Sequence, residues 1–161
     1  MRKLLLAAIL IVLLLEFSRA QSKSAGTKQS ADHVVMRARE LSWKTIIPGW
    51  EMAVVSGDPA KAGIYTVRFR TLKGGNVPPH WHPVAEAITV LAGEFRLGHG
   101  EKYDLTKMRA LRPGDFAVVP AKEPHYAYGT PGNIVQAHGM GPFVVNWVNP
   151  EDDPARKTKK P

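Results

Sequence analysis

The chain is 161 residues long, contains no cysteine, and carries 22 Lys and Arg against 14 Asp and Glu, a formal net charge of +8. The absence of cysteine excludes disulfides and thiolate metal sites, so any metal must be held by nitrogen and oxygen donors. The length fits one domain with a single core, and no repeat of solenoid period is present.

The first 20 residues read as an export signal. Arg2 and Lys3 form a positive start, Leu4 to Leu15 is an unbroken apolar run, and Ser18-Arg19-Ala20 supplies small residues for cleavage before Gln21. Twelve apolar residues fall short of the roughly 20 that a spanning helix needs, and Glu16 closes the run. Only an uncleaved signal would therefore tie the chain to a membrane. The expectation is an exported protein, periplasmic or secreted. Without a twin arginine, the general secretion route is expected, with folding outside the cytoplasm.

Residues 21–40 are poor in apolar side chains and read as a flexible linker, with one short helix expected over Asp32 to Glu40. From residue 41 to 149 the texture changes to short apolar runs broken by Gly and Pro. Strands are expected at Trp50 to Val55, Ile64 to Leu72, Glu86 to Leu91, Glu94 to Leu97, Phe116 to Val119, Ile134 to His138 and Phe143 to Val148. In the second of these, Tyr65, Val67 and Phe69 alternate with Thr66, Arg68 and Arg70, so one face is apolar and the other polar. Many short strands with Gly/Pro turns mean an all-β sandwich or barrel. Residues 150–161 form a basic C-terminal tail. Its lysines, with Lys23 and Lys28, carry much of the positive excess in solvated segments, and no nucleic-acid partner is expected.

The stretch Pro79-His80-Trp81-His82-Pro83-Val84-Ala85-Glu86 carries the chemistry. On a strand, residues two apart share a face, so His80 and His82 converge while Trp81 points away. Pro83 turns the chain, and Glu86 returns at the head of the next strand. Two imidazoles and a carboxylate make three ligands for a divalent metal. The candidates for a fourth are His33, His99, His125 and His138. His125 is the strongest, because it follows a strand and the turn Pro120-Ala121-Lys122-Glu123-Pro124. His138 and Glu123 are left open as additional site residues. Tyr126 and Tyr128 fall on the face opposite His125, and no catalytic base is assigned.

These residues resemble the cupin family. Gly74, His80, His82, Glu86 and Gly93 match its first motif, G-x5-H-x-H-x3-E-x6-G. Gly114, Pro120 and His125 match the second, G-x5-P-x-G-x2-H-x3-N, which departs at Lys122 (usually Gly) and Gly129 (usually Asn). The phrases PPHWHP and GDPAKAG, and the ending HGMGPFVVNWVNPEDDP, are similar to a subgroup of bacterial cupins. The resemblance implies a double-stranded β-helix, a jelly-roll cupin barrel, with His80, His82, Glu86 and His125 binding one divalent transition metal.

Ligand type alone admits Mn, Fe, Ni, Cu or Zn, and a site filled outside the cytoplasm favours Zn or Cu by the Irving–Williams order. Open coordination positions point to a small-molecule substrate and to an oxygenase or oxidoreductase. The family also implies two alternatives, a Lewis-acid lyase or isomerase and a non-catalytic ligand-binding or sensor barrel. A homodimer through sheet edges is the expected assembly.

Overall fold

A computed structural model describes residues 33 and 35–157. The expected signal and most of the expected linker lie outside these residues. Contacts divide the chain into Met1–Val35 and Met36–Pro161, and every strand among the described residues belongs to the second unit. Ahead of the strands, the expected short helix is reduced to one 3-10 turn at Ala38–Glu40.

Eleven strands make up the described fold: β1 (Lys44–Ile47), β2 (Trp50–Ser56), β3 (Gly63–Thr71), β4 (Gly75–Trp81), β5 (Glu86–Ala92), β6 (Phe95–His99), β7 (Arg109–Leu111), β8 (Phe116–Val119), β9 (His125–Gly129), β10 (Asn133–Gly141) and β11 (Asn146–Trp147). They form a six-stranded sheet in the order β1-β2-β3-β10-β5-β8 and a five-stranded sheet in the order β11-β4-β9-β6-β7, all pairs antiparallel. From β3 to β6, and again from β7 to β11, each successive strand crosses to the other sheet. This alternation is the winding of a double-stranded β-helix.

The core lies between the sheets and follows the period of two. Tyr65 and Val67 of β3, Ile88 and Val90 of β5, and Val135 and Ala137 of β10 all face inward and are at most 4% exposed. Full burial of such aliphatic side chains stabilises by roughly 1.5–3 kcal/mol each. Trp50 closes one end, edge-on to Phe95 with ring centroids 6.3 Å apart. The outward residues of β3 pair across the sheet surface instead. Arg68 donates to Gln136 (3.1 Å), while Arg70 donates to Glu51 (2.6 Å) and stacks over Trp43.

Two stretches depart from expectation. Phe143 to Val148, expected as one strand, contributes only Asn146–Trp147. The backbone groups ahead of it are committed elsewhere, since Phe143 N donates to Pro59 O (2.7 Å) and Val144 O accepts from a histidine described below. The stretch read as a basic tail begins with a 3-10 turn at Pro150–Asp152, capped by Asn149, and a single α-helical turn, α1 (Pro154–Lys157). Pro154 reaches the wall of the interior cavity.

Candidate metal centre

His80 sits near the end of β4, and His82 follows one residue beyond it. After the turn at Pro83, Glu86 opens β5. His125 opens β9, directly across the ladder from His80. All four side chains are buried, at 7% exposure or less. The ligating atoms of His80, His82 and His125 lie within 4.8 Å of one another, a separation that two metal–nitrogen bonds of about 2.1 Å nearly span. Glu86 Oε2 lies 3.5 Å from His82 Nε2.

Each ring is held by its rear nitrogen. His80 Nδ1 bonds Pro78 O (2.8 Å), His82 Nδ1 bonds Val144 O (2.8 Å), and His125 Nδ1 bonds Glu123 O (3.0 Å). A carbonyl oxygen only accepts, so each Nδ1 carries the hydrogen and each neutral ring keeps its lone pair on Nε2. Backbone carbonyls of this kind fix tautomer and orientation in metal-ligating histidines. The rings also touch, with His80 and His125 centroids 4.2 Å apart. Three imidazoles packed this closely, beside one carboxylate, are the donor set that a divalent transition metal takes.

The electrostatics agree with that set. Burial and the neighbouring His125 and His82 charges hold the His80 imidazole down to about 3, against the pull of the Pro78 carbonyl. Burial likewise lowers His125. Burial also opposes a charge on His82, but the Glu86 carboxylate and the Val144 carbonyl outweigh it and raise its pKa. In the metal-free protein, the Glu86 charge therefore draws a proton onto the position that a cation would fill.

The four residues lie on the wall of a cavity of about 310 Å³. Its remaining lining is apolar, with Ile46, Trp50, Met52, Phe69, Phe143 and Trp147 prominent. No lysine, arginine or aspartate lines it among the described residues. Phe143 packs on His82 (4.9 Å between centroids) and Trp147 on His80 (5.5 Å).

The other sequence candidates fall outside the cluster. His33 is exposed, and His99 pairs with the Glu123 carboxylate (3.1 Å) at the surface. Glu123 thus bonds the centre through its backbone carbonyl, while its carboxylate pairs with His99. His138 alternates away from the inward-facing Ala137 and does not line the cavity. Tyr126 is buried behind β9 and donates to Asp104 O (3.3 Å). The carbonyl of Val144 and the rings of Phe143 and Trp147 had no signal in the histidine spacing. Their nearest sequence trace is Pro142, which follows the last residue of β10 at Gly141.

The motif departures have local causes. Lys122, at the position usually held by Gly, has φ of +63°. Its N–H donates to His82 O (2.7 Å), which holds the left-handed turn that delivers His125. At Gly129, a Cβ would stand 2.7 Å from the Trp50 ring and 2.8 Å from Thr71 Cγ2, so the indole occupies the space an asparagine would need.

Comparison with known proteins agrees with this architecture. The family described as Cupin domain matches residues 67–134. No curated protein matches the sequence. Among solved structures, the polyketide cyclase RemF from Streptomyces resistomycificus superposes with a TM-score of 0.62 at 20% identity, over 81% of this chain and 95% of that one. KdgF from Halomonas sp. gives 0.55 at 23% identity, over 68% and 94%. A mutant salicylate 1,2-dioxygenase from Pseudoaminobacter salicylatoxidans, in complex with gentisate, gives 0.51 at 16% identity, over 61% of this chain and 27% of that one. At these identities the likeness is one of fold. The sheet winding, the first motif and the match of residues 67–134 to the Cupin domain family all agree with a cupin fold.

Proposed function

We propose that this barrel is a mononuclear metal enzyme of the oxygenase or oxidoreductase type, acting on a small and largely apolar molecule. The observation that carries the proposal is the convergence of three buried, rear-anchored imidazoles and Glu86 on one wall of an otherwise apolar cavity. His80, His82, Glu86 and His125 hold the ion, which when bound supplies a redox-active or Lewis-acidic centre beside the substrate. The protein's own part is to fix the rings through Pro78, Val144 and Glu123 and to exclude water with the Phe69, Phe143 and Trp147 walls. Without a cationic side chain in the lining among the described residues, a multiply charged substrate finds no counter-charge from them. The cavity therefore selects a neutral or singly charged molecule with an oxygen-donor head and an apolar body.

Solved structures of the same fold include an oxalate oxidase and the dioxygenase with gentisate, which is in keeping with redox chemistry in this class. We further propose that the chain is exported and that the native ion is Zn or Cu, taken up outside the cytoplasm. One observation favours a second reading, a ligand-binding or sensor barrel. Beyond the four candidate ligands, no acid or base side chain lines the cavity among the described residues.

The test is turnover of a panel of enolisable dicarbonyls and hydroxyarenes by protein loaded with Cu or with Zn, with and without dioxygen. Dioxygen-dependent turnover with Cu, abolished in His82→Ala, is the expected result. Equal turnover with Zn under anaerobic conditions would replace the redox reading with Lewis-acid chemistry. No turnover above that of free ion would leave the binding reading standing.

A further inference from the structure

We propose that the Tyr65 hydroxyl is a positioning donor for the Glu86 carboxylate, holding it toward the metal. This inference rests on the proposed metal centre. Register brings the two residues together, because Gly139 of β10 pairs with Tyr65 on one side and with Glu86 on the other. Tyr65 and Glu86 both face the barrel interior, at 1% and 5% exposure. The space between them is left by the missing side chain at Gly139. A Cβ there would stand 3.2 Å from the Tyr65 hydroxyl and 3.0 Å from the carbonyl oxygen of Ala85, the residue before Glu86. The Tyr65 ring therefore lies over Gly139 and points its hydroxyl at the head of β5. Neighbouring strands are about 4.8 Å apart, so a tyrosine laid across one strand reaches the side chain on the next.

The hydroxyl has no hydrogen-bond partner, and it is among the few buried polar atoms of the described residues in that condition. A phenol so placed is either a cost carried by the fold or a donor whose acceptor moves into place. A carboxylate has two oxygens with about four acceptor sites, so an ion and His82 on one side leave room for a donor on the other. Phe143 links the two regions by packing on Tyr65 (5.6 Å) and on His82 (4.9 Å). Burial first, and the Glu86 charge second, raise the Tyr65 pKa far above its ordinary value, so the phenol remains a donor throughout the physiological range.

The test is a titration of metal-free protein with Co²⁺, read by visible absorption and by competition with a chelator, for wild type, Tyr65→Phe, Glu86→Gln and the double variant. Phenylalanine removes only the hydroxyl, so the fold is kept. The expected result is a loss of Co²⁺ affinity of roughly ten- to hundredfold in Tyr65→Phe, with an altered ligand-field spectrum. The metal-free Tm should be unchanged or higher, and the same substitution should have little further effect in Glu86→Gln. Wild-type affinity and spectrum in Tyr65→Phe would overturn the inference and leave the metal centre intact. Failure of the wild type to bind Co²⁺ would instead remove the metal centre, and this inference with it.

Discussion

Which nitrogen of a neutral histidine offers its lone pair is fixed by what claims the other. In this barrel the claimants are the carbonyls of Pro78, Val144 and Glu123, which come from three separate parts of the chain. Burial then keeps His80 and His125 neutral, and this has a consequence for the metal-free protein. A group whose pKa is lowered on folding binds fewer protons in the folded state, so stability is lost as pH falls below the unfolded value. For His80 the window runs from about 6.5 down to about 3, and His125 acts in the same direction. His82, raised by Glu86, works the other way, so its contribution is present in acid and lost as pH rises through its folded pKa. The His82 contribution is already complete below about 6.5, so His80 and His125 set the sign at lower pH. The Tm of metal-free protein should fall between pH 6.5 and 4, and it should fall less in His80→Asn. An equal fall in that variant would remove His80 as the cause.

At the scale of elements, the first motif was legible because its residues lie on one hairpin-like excursion. His80, His82 and Glu86 are close in sequence, so strand alternation and one proline turn place them together. Alternation also predicted the inward face of β3 and the outward placing of Arg68 and Arg70, whose partners are Gln136 and Glu51 across the sheet surface. The motif glycines Gly74, Gly93 and Gly114 all hold positive φ, so their spacing encoded turns. What spacing could not show is contact between distant strands. Trp50 on β2 fills the space beside Gly129 on β9, and only the barrel's closure makes them neighbours. The shortened final strand was missed for the same reason, since its backbone partners Pro59 and His82 belong to remote loops.

The Trp50 and Gly129 contact gives a stability test. Gly129→Asn, which restores the residue usual in the second motif, should destabilise this protein by roughly 1–3 kcal/mol through overpacking against the indole. Denaturant unfolding measures it. An unchanged midpoint would mean that Trp50 moves aside freely.

Across the whole molecule, the two sheets enclose a cavity of about 310 Å³ with one polar wall, and both motifs end at that wall. The fold was legible in the sequence because turn spacing, alternation and the motif residues all point to the same barrel. The reaction was not, because cupin barrels differ in what their cavities admit, and side chains from β1, β3, β11 and the stretch around Pro154 set that here. These elements lie outside the motifs.

The central claim is that four residues from two motifs hold one metal ion. The most direct measurement is elemental analysis of the native protein beside His82→Ala, each checked for an intact β-sheet spectrum. The expected result is about one equivalent of Zn or Cu in the native protein, lost in the variant. A folded native protein with no transition metal would contradict the claim, and stoichiometric Mn or Fe would keep the site while overturning uptake outside the cytoplasm.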